Sequence, residues 1–582
     1  MLIKVSKYFI LTIFFTIINA DKPIVDTTHG KIQGKTLQTL LKRMDYYGFM
    51  GIPFAKPPIK DLRFLPPQPI EPWDHLLIAT KEKQACIQFN NNVLKGQPLG
   101  QYGSEDCLYL DIFTPKTDEK KRAVIVFLYN EHFMGSYNKT KDYSPDFFIE
   151  EDVIIVTVSH RLSVFGFLSL EDDIVPGNAG LKDIVTALEW TKNNIYKFGG
   201  DPDKITLMGC QGGAVAVDLL IHSKSKRLFH SAILQSETSW SSIYLQDNVR
   251  ERAIKLSELL DWKSNSNSIL LKSLNEVPVS NILLKVHHAN TQDYFKENQR
   301  SSVTFSPIVE KQPDGLITGY PEDSSEKIDI PIMIGLNSRE GLHPAVEYLL
   351  EPRYLSFVEK DFPFLIPIRT GFRFNPLHDS FYEAVDEIKK FYYKKGKVTV
   401  RSVNDHITYL GDALVGYAVD RAVKFYAERT SNSLFYYYFD YYSNLNENKN
   451  NLMKLSTLSE GTWGAAAGDE LCYLFYCPDL KQQYLKNNQS MSEEFIIQRK
   501  LIKLWTNFAK YGNPTPVGDA TLEGLNWPVY NKNTKKYLNV GKLIEVKSEL
   551  LKERFSFWDE FLIKWEKEVR NIQILRAIDD EL

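Results

Sequence analysis

Residues 207–217, LMGCQGGAVAV, pass from an apolar strand through a tight glycine turn into a helix. Such a turn can carry catalysis. In a Gly-x-Ser-x-Gly elbow the strained strand-to-helix junction exposes a serine hydroxyl, which a histidine deprotonates and an acid orients. Here the outer glycines are Gly209 and Gly213, but Gln211 stands at the apex. A carboxamide is no nucleophile at physiological pH, so covalent acyl transfer through this position is excluded. Cys210 adjoins the apex, and a thiolate is intrinsically nucleophilic; one position off, its side chain is expected to point away. The stretch is either an elbow that lost its nucleophile or a turn that never carried one.

The elements needed to hold that turn are legible around it. Strand-like runs alternate with helical patterns through AVIVFLY (123–129), DVIIVTVSH (152–160), DIVTALEWTKNNI (183–195), KITLMG (204–209), AVAVDLLIHS (214–223), SAILQS (231–236), IPIMIGLN (330–337) and LFYYYFDYY (434–442). Continuous β-branched runs between helical segments predict an α/β fold with a mostly parallel sheet covered on both faces. No repeat and no clean linker interrupts the pattern, and the length allows several domains or one large one. SNLNENKNNLMK (443–454) is expected to be a solvated loop. Leu551, Phe555, Trp558, Phe561, Leu562 and Trp565 recur at helical spacing, which predicts a closing amphipathic helix with its aromatics in the core.

Of the 582 residues, 43% are hydrophobic and 13% aromatic, enough for a large core, and the net charge of −3 excludes a basic nucleic-acid-binding face. Residues 1–20 carry two lysines, then the apolar run YFILTIFFTII and a small residue, Ala20. That is the layout of a secretory signal peptide, too short for a bilayer span. No later run is long and apolar enough to anchor the chain, so no transmembrane anchor is expected. The five cysteines are Cys86, Cys107, Cys210, Cys472 and Cys477, and their odd number leaves at least one thiol unpaired. Sequons at Asn138 and Asn488 fit a secreted glycoprotein. The chain ends Asp579-Asp580-Glu581-Leu582, close to the Lys-Asp-Glu-Leu retrieval signal, but with an acid in the first position. Secretion is therefore the expectation, and retention in the endoplasmic reticulum lumen the alternative.

Longer segments carry a resemblance. YGFMGIPFAKPPIKDLRFLPPQP (47–69), SEDCLYLDIFTP (104–115), RLSVFGFLS (161–169), PGNAGLKDIVTALEWTKNNIYKFGGDPDKITLMG (176–209) and LWTNFAKYGNPTP (504–516) closely resemble the type B carboxylesterase and cholinesterase family, in family order. The resemblance implies that residues 21–582 form a single domain of the α/β-hydrolase fold, with a large central sheet flanked by helices. It also implies a Cys86–Cys107 disulfide and two buried ion pairs, Arg63–Glu105 and Arg161–Asp183. Breaking one such pair strands a buried charge at roughly 3–5 kcal/mol. A second family disulfide has no cysteines here. Cys472 and Cys477 are then free, or paired with each other if the local turn permits.

Against the family pattern the catalytic positions are degenerate. Gly209-Cys210-Gln211-Gly212-Gly213 stands where the family has Gly-Glu-Ser-Ala-Gly, and Glu340 keeps the acid. Ala467 occupies the histidine position, and an alanine relays no proton. The oxyanion loop His-Gly-Gly-Gly-Phe becomes Tyr129-Asn130-Glu131-His132-Phe133, which places a carboxylate where negative charge should develop. Losing one oxyanion donor costs on the order of 10²–10³ in rate, and losing nucleophile and base together roughly 10⁶. His132 and His160 are expected near the pocket mouth as hydrogen-bonded structural residues. No His-x-x-x-His or paired-cysteine spacing suggests a metal, and no cofactor is expected. The chain thus resembles inactive, insect-type esterase-like members of the family. The expected role is binding of a protein partner or a hydrophobic small molecule; the alternative is a carboxylic-ester hydrolase acting through other residues.

Overall fold

The computed structural model describes residues 22–90, 100–137, 139–245, 247–290, 298–325, 327–369, 372–457 and 463–579. The leader 1–20, the sequon residue Asn138 and the last three residues of the acidic tail lie outside them.

A 12-stranded sheet forms the centre. From one edge it runs through Ile544–Ser548, Lys536–Val540, Leu434–Phe439, Ile332–Asn337, Ser231–Gln235, Gly200–Gln211, Arg122–Glu131, Ile154–Val158, Tyr109–Thr114, Asp45–Pro53 and Lys35–Gln38, with Gly135–Ser136 paired back onto Arg122–Glu131. Every pairing from Ile154–Val158 across to Lys536–Val540 is parallel. The strands beyond are antiparallel, so the sheet is mixed, parallel only in its middle. The parallel strands are buried on both faces, which is why they read as continuous apolar runs rather than alternating ones.

Alternation reappears in what each side chain touches. Along Arg122–Glu131, Val124, Val126 and Leu128 enter one core layer, whereas Ile125, Phe127 and Tyr129 enter the other. Helix Ala179–Asn194 turns Leu181, Ile184 and Leu188 into the first layer at helical spacing. Glu493–Tyr511 covers the second with Leu501, Trp505 and Phe508. Its first turn is capped by the Ser492 side chain, and it ends at the left-handed Gly512. The closing helix is longer than its sequence pattern, Lys552–Asp579, and buries Phe555, Trp558, Phe561 and Trp565.

One expectation changes. The polar stretch 443–454 is not simply a solvated loop: Glu447–Leu455 is a helix burying Lys449 and Leu452. Asp469 accepts hydrogen bonds from the Lys449 and Ala466 amides, so a partner distant in sequence nucleates the helix. Cys472 and Cys477 pair with each other, and Cys86 pairs with Cys107. Cys210 is the free cysteine, and it is buried.

Chain order sets where a crevice opens. After Arg122–Glu131 the chain adds Ile154–Val158 on one side, then crosses to place Gly200–Gln211 on the other. At such a switch point the loops leave in opposite directions, and ligands bind at the carboxyl ends of the strands. Glu131 and Gln211 are the last residues of those two strands.

Candidate functional site

Gln211 joins strand Gly200–Gln211 to helix Gly212–Ile221 with φ 52° and ψ −126°, a conformation rare for a residue with a side chain. The neighbouring glycines permit it. A methyl on Gly209 would stand 2.3 Å from the Gly213 carbonyl oxygen, and one on Gly213 would stand 2.1 Å from that of Leu128. The elbow is therefore present as a fold element, with a carboxamide at its apex. Cys210 packs in the opposite core layer. Burial, and the carboxylates of Glu470, Glu340 and Glu237, push its thiol pKa up.

The loop after Arg122–Glu131 also keeps a glycine-like backbone without glycines: His132 and Phe133 have φ of 50° and 61°. Side chains hold it there. Asn130 Oδ1 accepts from the Phe133 amide at 2.7 Å, and Asn130 Nδ2 lies 3.3 Å from His160 Nε2. His160 Nδ1 in turn donates to the Arg161 carbonyl, and burial lowers its pKa. A methyl on Gly212 would meet Asn130 Oδ1 at 2.0 Å. Asn130 thus fills the space beside the elbow and engages a backbone donor of the loop, and Gly212 is the residue that makes room for it.

His132 is bound away from the elbow. Its Nδ1 lies 2.8 Å from the Tyr244 hydroxyl and 3.0 Å from Glu237 Oε1, and the hydroxyl donates to Glu237 Oε2. Burial presses this imidazole toward neutrality, but the Glu237 carboxylate outweighs it and raises the pKa. Glu237 and Tyr244 had no signal in the motif pattern. The position of Glu237 just beyond the carboxyl end of Ser231–Gln235 could have raised it, since that edge of a parallel sheet is where sites form.

Gln211 and Ala467 line one cavity together with Tyr129, Glu131, Tyr137 and Asp142. Glu340 is buried. Its Oε1 accepts from the Asn337 amide at 2.6 Å, and Asn337 Nδ2 donates to the Ala466 carbonyl and to Glu470 Oε2. No well-aligned donor reaches Glu340 Oε2. Burial first, then the Glu470 and Glu237 charges, raise the Glu340 pKa well above the carboxylate range. An imidazolium at 467 would have offset that cost; the methyl of Ala467 does not. Burial therefore favours the neutral form of this acid. The cavity is about 80 Å³, well below the roughly 300–1,000 Å³ of drug-sized ligand sites.

The structural expectations lie around this centre. Arg63 binds Glu105 through two nitrogens, and its third caps carbonyls at the end of helix Asn267–Glu276. Arg161 grips Asp183 and reaches the Leu65 carbonyl. Asn488 is half-buried on helix Lys481–Ser490. Among the described residues, a single group of acid, histidine and cysteine side chains lies close enough for a metal, Glu447, Cys472 and Cys477, and its sulfurs are already joined.

The profile of the carboxylesterase family matches residues 21–558. The chain is 30% identical to juvenile hormone esterase of Tribolium castaneum, over 95% of this chain and 98% of that one. It is 27% identical to venom carboxylesterase-6 of Apis mellifera, over 92% and 94%. Against carboxylesterase 1E of Rattus norvegicus the identity is 28%, over 93% and 94%.

Proposed function

The chain belongs to the carboxylesterase family, and we propose that within it the protein is a non-hydrolytic member, retained for recognition of a ligand or partner rather than for ester cleavage. One observation carries the reading: the elbow and the base position face the same cavity, and they hold Gln211 and Ala467. Neither side chain can attack a carbonyl or take a proton. Asn130 and Glu131 support it, the first by filling the space beside the elbow at Gly212, the second by lining the same cavity with a carboxylate, which disfavours a developing negative charge. Cys210 offers no substitute nucleophile, because it is buried in the other layer and held as a thiol.

The test is hydrolysis of short-chain aryl esters by the purified protein, with a serine-directed organophosphonate probe alongside. No turnover above a heat-killed control and no labelling are expected. Turnover that co-elutes with the protein on a sizing column, or heat-sensitive labelling, overturns the reading.

Export belongs to the same proposal. The N-terminal twenty residues read as a secretory leader, and no described helix is long and apolar enough to cross a membrane. A single glycine appended after Leu582 masks a retrieval signal and leaves an ordinary tail unchanged. Equal amounts of both forms in the medium are expected; retention of the natural form alone assigns the protein to the lumen.

A further inference from the structure

We propose that the basic turn at residues 389–401 is a docking site for a sulfated polysaccharide. This goes beyond the reading of the elbow cavity and rests only on the reading that the chain is exported.

Concentration of charge is the first ground. Lys389, Lys390, Lys394, Lys395, Lys397 and Arg401 are the only charged residues of that stretch, in a chain whose net charge is −3. A short run this rich in lysine and arginine is the pattern of a polyanion patch. The surplus of acid elsewhere opposes a polymer draped over the whole molecule, so the contact is confined to this turn.

The fold decides which of these charges face outward. Helix Asp379–Tyr392 ends here, and the chain reverses through the turn Lys394–Gly396, where Lys395 and Gly396 have φ of 60° and 67°. Tyr392, Tyr393 and Val398 are buried and anchor the turn, while Lys394, Lys395, Lys397 and Arg401 are exposed. Glu359 ties a second element to it. Its Oε2 accepts from the Val398 amide at 2.8 Å and meets Lys389 Nζ at 2.7 Å. The next residue, Lys360, is exposed at the end of helix Leu355–Lys360 and adds its ammonium to the group.

Counter-charge does not cancel the array. Of the acids beside it, Glu359 is committed to Lys389 and Asp386 to Lys390. Asp405 is half-buried, and burial raises its pKa against the pull of Lys394 and Arg339. Among the described residues, the side chains of Lys360, Lys394, Lys395, Lys397 and Arg401 make no hydrogen bond or ion pair.

Sulfate esters suit such an array, because they stay ionised at every physiological pH and repeat along the polymer. An anionic membrane suits it less. Docking there draws on apolar side chains that enter the lipid, and none is exposed between Tyr392 and Val398. Phe391, just before, is stacked on Phe557 at 4.0 Å. The anionic leaflet also faces the cytoplasm, away from an exported chain.

The experiment titrates the purified full-length protein with a heparin octasaccharide. The comparison probes are the same sugar stripped of sulfate, a DNA oligonucleotide of equal charge, and phosphatidylserine–phosphatidylcholine vesicles. Heparin is expected to bind saturably, and about a hundredfold more weakly when salt is raised from about 50 to about 200 mM. Each comparison probe should bind at least about tenfold more weakly. Lys394→Gln, Lys395→Gln and Lys397→Gln together should weaken heparin at least about tenfold. The same change at three exposed lysines elsewhere, Lys31, Lys532 and Lys542, should leave it within about threefold. If the first triple fails to match the melting curve of the natural chain, Lys360→Gln with Arg401→Gln carries the test, at about fivefold. Absence of saturation, equal or tighter binding of any comparison probe, unchanged binding by the folded variants, or equal loss in both triples overturns the proposal. Export is read separately, from the culture medium, so its failure is distinguishable from failure of the binding.

Discussion

At the scale of single residues, the site is a set of mutually dependent substitutions. Asn130 occupies the volume that Gly212 vacates, so neither can change alone without cost. Gly212→Ala should destabilise by about 1–3 kcal/mol through overpacking against Asn130 Oδ1. In Asn130→Gly the same methyl finds room, and denaturant melts of the four proteins should give a favourable coupling of at least about 1 kcal/mol. Additive effects within about 0.5 kcal/mol would show that the two positions relax separately. The consequence for function is direct: placing serine at 211 would restore a hydroxyl next to a loop that Asn130 has already closed. His132 adds to this, since its ring is committed to Tyr244 and Glu237.

At the scale of elements, two disulfides close short loops of very different length. The Cys86–Cys107 disulfide spans 21 residues and Cys472–Cys477 spans 5. Constraint of the unfolded chain grows with the logarithm of that span, giving about 3 and about 2 kcal/mol. Replacing the first pair by alanines should therefore lower the denaturation free energy by about 1 kcal/mol more than replacing the second. Equal losses would mean that folded-state packing around Cys472 and Cys477, both buried, compensates the shorter loop. Helix Glu447–Leu455 depends on the same region, because Asp469 holds its first turn and Asn448 donates to the Ala467 carbonyl. Nothing within 443–454 announces this. Its two buried leucines, Leu445 and Leu452, sit seven residues apart among asparagines and lysines, and the anchoring acid comes later in the chain.

For the whole molecule, stability against pH follows from groups buried far from water. His406 is buried, its Nδ1 bonded to the Tyr393 hydroxyl, and burial lowers its pKa from 6.5 to about 4. The unfolded chain then binds more protons between those values, so this contribution is complete above pH 6.5 and is lost as pH falls toward 4. The loss should reach about 2 kcal/mol by pH 5. Asp469 acts in the opposite sense: burial raises it from 3.8 to about 7, so its contribution declines as pH rises across that range. Comparison of the natural chain with His406→Gln isolates the histidine. The stability difference between them should shrink by about 2 kcal/mol from pH 7 to pH 5, and an unchanged difference would show that His406 binds protons alike in the folded and unfolded chain.

The sequence by itself determined the fold class, the elbow and what stands at its apex. Buried parallel strands demand continuous apolar runs, a strained elbow demands closely packed glycines, and the absence of serine and histidine is a matter of residue identity alone. Long family segments also placed Arg63 opposite Glu105, Arg161 opposite Asp183, and Cys86 opposite Cys107 before any coordinate did. Only the tertiary structure decided the rest. It brought Glu237 and Tyr244 to His132 from separate connections, paired Cys472 with Cys477, and set Asn130 into the space of Gly212. It also brought Gln211 and Ala467 to one cavity with Glu131. Periodicity records which face of an element is buried, but not which distant side chain meets it there. Hydrogen bonding and charge pairing around the cavity depend on that second quantity, fixed by crossings between strands that lie far apart along the chain.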